Sequence, residues 1–242
     1  MCTVTFVPVK DRYFITSNRD EKVFRKQAIP PSLYYIDNTK LIFPKDADAN
    51  GTWIAIHENG NAAVLLNGGF VYHQSKPPYA KSRGLVFLEI FKANMPAKQF
   101  LQIDLFRIEP FTIILFDNDA LYECRWDGKK KSCIQLNTYQ PHIWSSVTLY
   151  DQFTIKKREQ WFSDFINNIP KPTQQDILNF HRFAGDGNKS NDLFMCRDDI
   201  YSTVSITSIL LTQDRGSMKY FDIKNNQSSE MKIEFLSEYE LS

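Results

Sequence analysis

Apolar and polar positions largely alternate over Thr3 to Val7, and Tyr13 to Thr16 is rich in β-forming side chains. The charged cluster Lys10-Asp11-Arg12 between them reads as a turn, so this stretch predicts a β-hairpin. With the loop centred between residues 10 and 11, or on residue 11, antiparallel partners sum to about 21 or 22, which sets Cys2 opposite Arg19 or Asp20. Thr52 to His57 and Asn61 to Leu66 flank Glu58-Asn59-Gly60 and predict a second hairpin, because an Asn-Gly pair tolerates the positive φ angles of tight turns. Phe111 to Phe116 and Ala120 to Trp126 flank Asp117-Asn118-Asp119 as a third, with a short strand over Cys133 to Leu136 beyond the Asp127-Gly128 turn.

The period then changes. Ser82 is placed to cap a helix carrying Leu85, Leu88 and Phe91, and Pro96 to start another helical turn. Ile155 to Ile166 is amphipathic, with Trp161, Phe162 and Phe165 on one side and Lys156, Lys157, Arg158 and Glu159 expected in solvent. Thr173 caps a helix through Phe183, with Asp176 completing a capping box. Gly185 to Asn191 is expected to be a mobile loop, and Thr203 to Leu211, Lys219 to Ile223 and Met231 to Leu236 return to the β pattern. Strands at both ends with helices between them predict one α+β domain over residues 1–242, without repeats or linkers.

Composition narrows the function classes. The 242 residues carry 29 Lys plus Arg against 28 Asp plus Glu, a formal net charge of +1, which argues against a polyelectrolyte partner. Lys129-Lys130-Lys131 reads as a solvated turn, and no broad basic face supports nucleic-acid binding. Apolar runs stop far short of the roughly 18 to 20 residues of a membrane-spanning helix. The start of the chain lacks the basic and apolar segments of a secretory signal, so a cytoplasmic location is expected. Cys124, Cys133 and Cys196 read as ordinary strand or loop thiols with no zinc or disulfide framework, and His57, His73, His142 and His181 lack metal-ligand spacing. No cofactor is implied. The expected partner is a small-molecule substrate or ligand, and no pattern specifies an oligomeric state.

The chemistry centres on Cys2. Removal of Met1 would give one residue both a thiol, with a pKa of about 8.5, and an α-amine, with a pKa of about 7.7 to 8, so that the amine can accept the thiol proton without a histidine. Alone, a cysteine after methionine reads as a small strand residue. The tetrad Asn18-Arg19-Asp20-Glu21, which the hairpin brings beside Cys2, changes that reading. Arg19 would favour the thiolate, Asp20 would anchor or orient the amine, and Asn18 would fix the turn. Phe70, with Tyr72 and Tyr79, is a candidate lining for an apolar substrate pocket.

Together, Met1-Cys2-Thr3, Asn18-Arg19-Asp20-Glu21, Gly51-Thr52-Trp53, Leu66-Asn67-Gly68 and Ser82-Arg83-Gly84 resemble the NRDE family, which includes the Transport and Golgi organisation proteins. The resemblance covers essentially the whole chain. It implies a four-layer αββα sandwich of the N-terminal nucleophile hydrolase type, akin to enzymes that cleave linear amides. It further implies Cys2 as nucleophile, Asp20 as the aspartate, Asn67 as an oxyanion donor and Ser146 near the place of a second. Ser17 and Val204 stand where acylase-like relatives carry arginines, and Arg19 is a candidate substitute on the strand face of Ser17. Two functions are therefore expected: hydrolysis of a non-peptide C–N bond through an acyl-thioester, or binding or trafficking on the same scaffold without catalysis.

Overall fold

The first hairpin forms in the computed structural model, which describes residues 3–236. β1 (Thr3–Val9) and β2 (Arg12–Lys22) pair antiparallel with Thr3 opposite Asn18, the lower of the two registers expected. β2 does not end at the polar tetrad. It runs through Asn18, Arg19, Asp20 and Glu21, the first three of them buried.

Seven strands follow one another as an antiparallel meander: β3 (Ile29–Ile36), β4 (Thr39–Lys45), β5 (Ile54–His57), β6 (Ala62–Asn67), β7 (Phe111–Asp117), β8 (Ala120–Trp126) and β9 (Lys131–Leu136). The turn after β7 has Asn118 and Asp119 at φ 48° and 60°, and Gly60 in the β5–β6 turn has φ 92°, as tight hairpins require. The β3–β4 hairpin lies in a stretch for which the sequence pattern predicts no element. Pro30 and Pro31 are accommodated because β3 is an edge strand with a register shift between Ile29 and Ser32, where proline is tolerated. Its turn, Asp37-Asn38, has φ 49° and 67°.

Between β6 and β7 come α1 (Arg83–Phe91), capped by the Ser82 side chain on Leu85 N, and α2 (Pro96–Gln102). After β10 (His142–Ser145) come α3 (Gln152–Asn168) and α4 (Gln174–Phe183), whose predicted Thr173–Asp176 capping box is present. β11 (Cys196–Arg197), β12 (Tyr201–Leu211), β13 (Arg215–Asp222) and β14 (Gln227–Glu234) complete a second seven-stranded sheet. Its order is β10-β1-β2-β12-β13-β14, with β11 beside β12.

The sheets stack face to face between the helix pairs, giving the αββα order of layers: α1 and α2 pack on the meander, α3 and α4 on the second sheet. The larger core joins Val4, Phe6 and Ile15 of the second sheet to Ile54, Val64, Phe111 and Ile113 of the meander and to Phe87 and Phe91 of α1. Each such side chain contributes about 1.5–3 kcal/mol by leaving water. A smaller core, Val7, Phe14, Phe162, Ile177, Phe180 and Leu193, fixes α3 and α4. One expectation for α3 fails. Arg158 is fully buried rather than in solvent, because its guanidinium satisfies backbone carbonyls of the loop after α4.

Candidate active site

The four internal motifs converge on one cleft of about 130 Å³, lined by Arg19 and Glu21 of β2, Gly51-Thr52-Trp53, Asn67, and Ser82-Arg83-Gly84 at the start of α1. Close backbone approach explains the glycines. A Cβ on Gly51 would lie 2.4 Å from the carbonyl carbon of Gly84, so the two motifs pack together only without a side chain there. A groove of about 260 Å³ between α4 and β12–β13 is larger, but none of the motif residues lines it.

β2 is buried on both faces, and alternate residues serve different neighbours. Arg19, 5% exposed, faces the cleft, where its Nη2 donates to Asp46 Oδ2 at 2.8 Å and its guanidinium sits 4.5 Å from the Trp53 ring centre. Burial pushes the Asp46 carboxyl up. The Ala49 N–H bond and the Arg25 and Arg19 guanidiniums more than offset this and hold it below the usual carboxylate range. Asp20, 2% exposed, projects to the other face. Its Oδ1 accepts from Thr203 Oγ1 at 2.6 Å and its Oδ2 from Tyr150 Oη at 2.8 Å. Arg19 and Asp20, expected side by side, thus occupy opposite faces of one strand.

Asn67 ends β6 at the cleft. Among the described residues no hydrogen bond engages its carboxamide, while its carbonyl accepts from Ser146 Oγ at 2.9 Å. Ser146 begins the turn that leads from β10 to Tyr150, whose N–H donates back to the Ser146 carbonyl at 3.2 Å. That single turn therefore touches Asn67 through its first residue and Asp20 through its last. Gly68, at φ 86°, admits it, since a Cβ there would meet Val147 Cγ2 at 2.6 Å.

Asn18, expected to fix the turn through its amide, is fully buried and fully engaged. Its Nδ2 donates to the carbonyls of His181 and Leu193 at 3.0 and 2.7 Å, and its Oδ1 faces His181 Nδ1 at 2.7 Å. The His181 proton therefore sits on Nδ1, and Nε2 accepts from Thr5 Oγ1 at 2.8 Å. Burial and then the nearby Arg158 charge lower the His181 pKa from 6.5 to about 3, so this ring is neutral. Arg158 donates to Thr3 Oγ1 and to the carbonyls of Asn191 and Asp192, and its guanidinium stacks 3.6 Å from the Tyr150 ring centre. Phe70 is half-exposed outside the cleft lining, with the Arg125 guanidinium 5.2 Å from its ring centre. Cys2 lies outside the described residues; Thr3, the next residue, pairs with Asn18. Tyr150 and Thr203 were not candidates from sequence, because only the folded chain brings positions 130 and 183 residues away to Asp20. Among the described residues no three His, Cys, Asp or Glu side chains group as a metal site, and no helix is long and apolar enough to cross a membrane.

Two stacked seven-stranded sheets between helix layers give the chain the fold of the N-terminal nucleophile hydrolases. An alanine-for-cysteine mutant of conjugated bile acid hydrolase from Clostridium perfringens is similar with TM-score 0.59 at 12% identity, over 96% of this chain and 92% of that one. The N-acylethanolamine-hydrolyzing acid amidase ortholog of Caenorhabditis elegans is similar with TM-score 0.53 at 11% identity, over 86% and 92%. A leucine-for-arginine variant of the Clostridium hydrolase gives 0.52 at 10% identity, over 100% and 98%. The model of the Transport and Golgi organisation 2 family matches residues 1–226, and the chain belongs to that family. No curated protein matches it significantly.

Proposed function

We propose that the chain is an amidohydrolase in which Cys2, freed of Met1, attacks the carbonyl of a linear, non-peptide amide. The α-amine takes the thiol proton and passes it to the leaving nitrogen as the C–N bond breaks, leaving an acyl-thioester on Cys2. Water, deprotonated by the same amine, then releases the acid. Asp20, held by Thr203 and Tyr150, orients the amine. The Asn67 carboxamide donates to the oxyanion, a contact worth about 3–4 kcal/mol in transition-state stabilisation. Ser146 positions Asn67 through its backbone, and Arg19, paired with Asp46, lines the cleft, while Phe70 lies outside it. Asn18 acts through packing and leaves substrate contact to the others.

The observation that carries this reading is the shared turn. Asn67 and Asp20 lie on different sheets, yet both are fastened to the segment from Ser146 to Tyr150. Such a tether fixes the donor and the carboxylate relative to each other, which positioned catalysis requires. A second reading, ligand binding without turnover, is favoured by the engagement of Arg19 with Asp46 and by Val204 at the irregularity between Thr203 and Ser205.

Acylation by a thiol-directed amide or lactone probe, read by intact mass, separates the readings. The expected result is labelling of a chain that has lost Met1, absence of labelling in Cys2→Ala, and labelling slowed about 100-fold or more in Asp20→Asn with the fold intact. Labelling of a Met1-bearing chain would overturn the mechanism. Ligand binding by Cys2→Ala equal to the parent, with no acylation of either, would establish the second reading.

A further inference from the structure

Two cysteines that sequence spacing treats as unrelated meet in the fold. The β8–β9 hairpin turns about Asp127 to Lys130 and sets Cys124 directly opposite Cys133, with their sulfur atoms 3.2 Å apart. Cys124 is fully buried in the larger core, while Cys133 is only partly covered and lies on β9, the edge strand of the meander. Glu123 bonds Trp144 of the opposing sheet, so the next residue, Cys124, faces the helix layer, where α2 packs on β8 and β9. Directly opposed residues of an antiparallel pair have Cα atoms about 4.5–5.5 Å apart, inside the span of about 4.4–6.8 Å that a disulfide bridges.

We propose that Cys124 and Cys133 form an oxidation site at which a peroxide-class oxidant makes an intrachain disulfide, pinning the edge strand β9 to β8. The Cys133 thiolate attacks one peroxide oxygen. The O–O bond breaks, and the second oxygen leaves as water after taking a proton, giving a sulfenic acid on Cys133. The Cys124 sulfur then attacks the Cys133 sulfur, the S–O bond breaks, and the hydroxyl leaves as water with the Cys124 proton. Two thiols and one peroxide become one disulfide and two waters, so the sulfurs lose the two electrons that the peroxide gains.

The protonation states divide the roles in the same order. The hydrogen bond from Cys124 holds the Cys133 thiol below its ordinary pKa, favouring thiolate at the partly open sulfur. That same bond, then burial, push the Cys124 thiol up, so it waits as the resolving thiol. Neither cysteine lines the cleft, and the inference is independent of the proposed hydrolysis.

Peptide mapping of the peroxide-treated full chain without reduction tests it, because trypsin cuts at Arg125 and at Lys129 to Lys131 between the two cysteines. The expected product is a linked peptide pair joining Cys124 to Cys133, lost on treatment with dithiothreitol and absent from Cys133→Ser, in which Cys124 stays open to alkylation after unfolding. Exposed Cys196 serves as an internal reference. Oxidised Cys196 alongside unlinked, reduced Cys124 and Cys133 would overturn the proposal, and so would sulfinic acid on Cys133 with Cys124 still free. The parent chain alone decides between these outcomes, whether or not Cys133→Ser folds.

Discussion

The two faces of β2 are both buried, and they are stabilised by different physics. Towards the meander, Ile15 packs in an apolar core, and Arg19 at the cleft end is balanced by Asp46. Towards α3 and α4, Thr16, Asn18 and Asp20 each make hydrogen bonds to residues well over a hundred positions away: Ser208, His181 and Tyr150. A buried polar group is costly without a partner and modestly favourable with one. The apolar face therefore tolerates small changes of shape, whereas each polar contact on the other face depends on a named distant atom. Cleft and Asp20 pocket inherit this difference: one is held by an ion pair, the other by neutral hydroxyls.

The largest effect is expected at Arg158, on the helix side. Arg158→Met keeps bulk but strands the Asn191 and Asp192 carbonyls and Thr3 Oγ1, at a cost of about 3–5 kcal/mol in urea unfolding. A loss under about 1 kcal/mol would mean that water replaces the guanidinium and that the polar face is not a closed network. Next is His181, whose folded-state pKa lies near 3 against 6.5 when free. Below pH 6.5 the unfolded chain binds a proton that the folded chain refuses. This contribution to stability is complete above that pH and is lost by up to about 1.4 kcal/mol per unit as pH falls towards 3. His181→Gln should therefore show a shallower acid slope in unfolding free energy than the parent, and equal slopes would remove His181 from the account.

Sequence pattern revealed what local forces decide. The β1–β2 register, the β5–β6 and β7–β8 turns, the Ser82 cap and the Thr173 capping box all depend on neighbours within a few residues. The β3–β4 hairpin carries no clear alternating pattern, and Pro30 and Pro31 fit a strand only because β3 lies at the sheet edge. Arg158, set in the run Lys156, Lys157, Arg158, Glu159, looked like a solvated charge, since only the loop after α4 distinguishes it from its neighbours. Ordered motifs drew attention to Asp20 and Asn67, whose surroundings in the fold are the Tyr150 and Thr203 hydroxyls and the cleft. Tyr150 drew none, because a lone tyrosine carries no spacing signal. The Cys124–Cys133 contact was readable in principle: a hairpin centred between Gly128 and Lys129 sets those two positions opposite each other.

The smallest effect is the sharpest test of the comparison. Thr16 Oγ1 and Ser208 Oγ lie 2.8 Å apart, buried, and Gln174 Nε2 also reaches Ser208 Oγ at 3.2 Å. Thr16→Val keeps the side-chain shape and removes one partner of a neutral bond, so it should cost about 1 kcal/mol. That is comparable with Ile15→Val on the opposite face, which removes one buried methylene at about 0.5–1.5 kcal/mol. The two differ in how they can be repaired. Adding Ser208→Ala to Thr16→Val removes the stranded hydroxyl and leaves Gln174 the Ser208 carbonyl at 3.4 Å, so the double variant should recover to within about 0.5 kcal/mol of the parent. Ile15→Val combined with Ser208→Ala has no such coupling and should simply add. If both doubles add, the hydroxyl pair is not energetically linked, and the helix-facing side of β2 is governed by packing like the other.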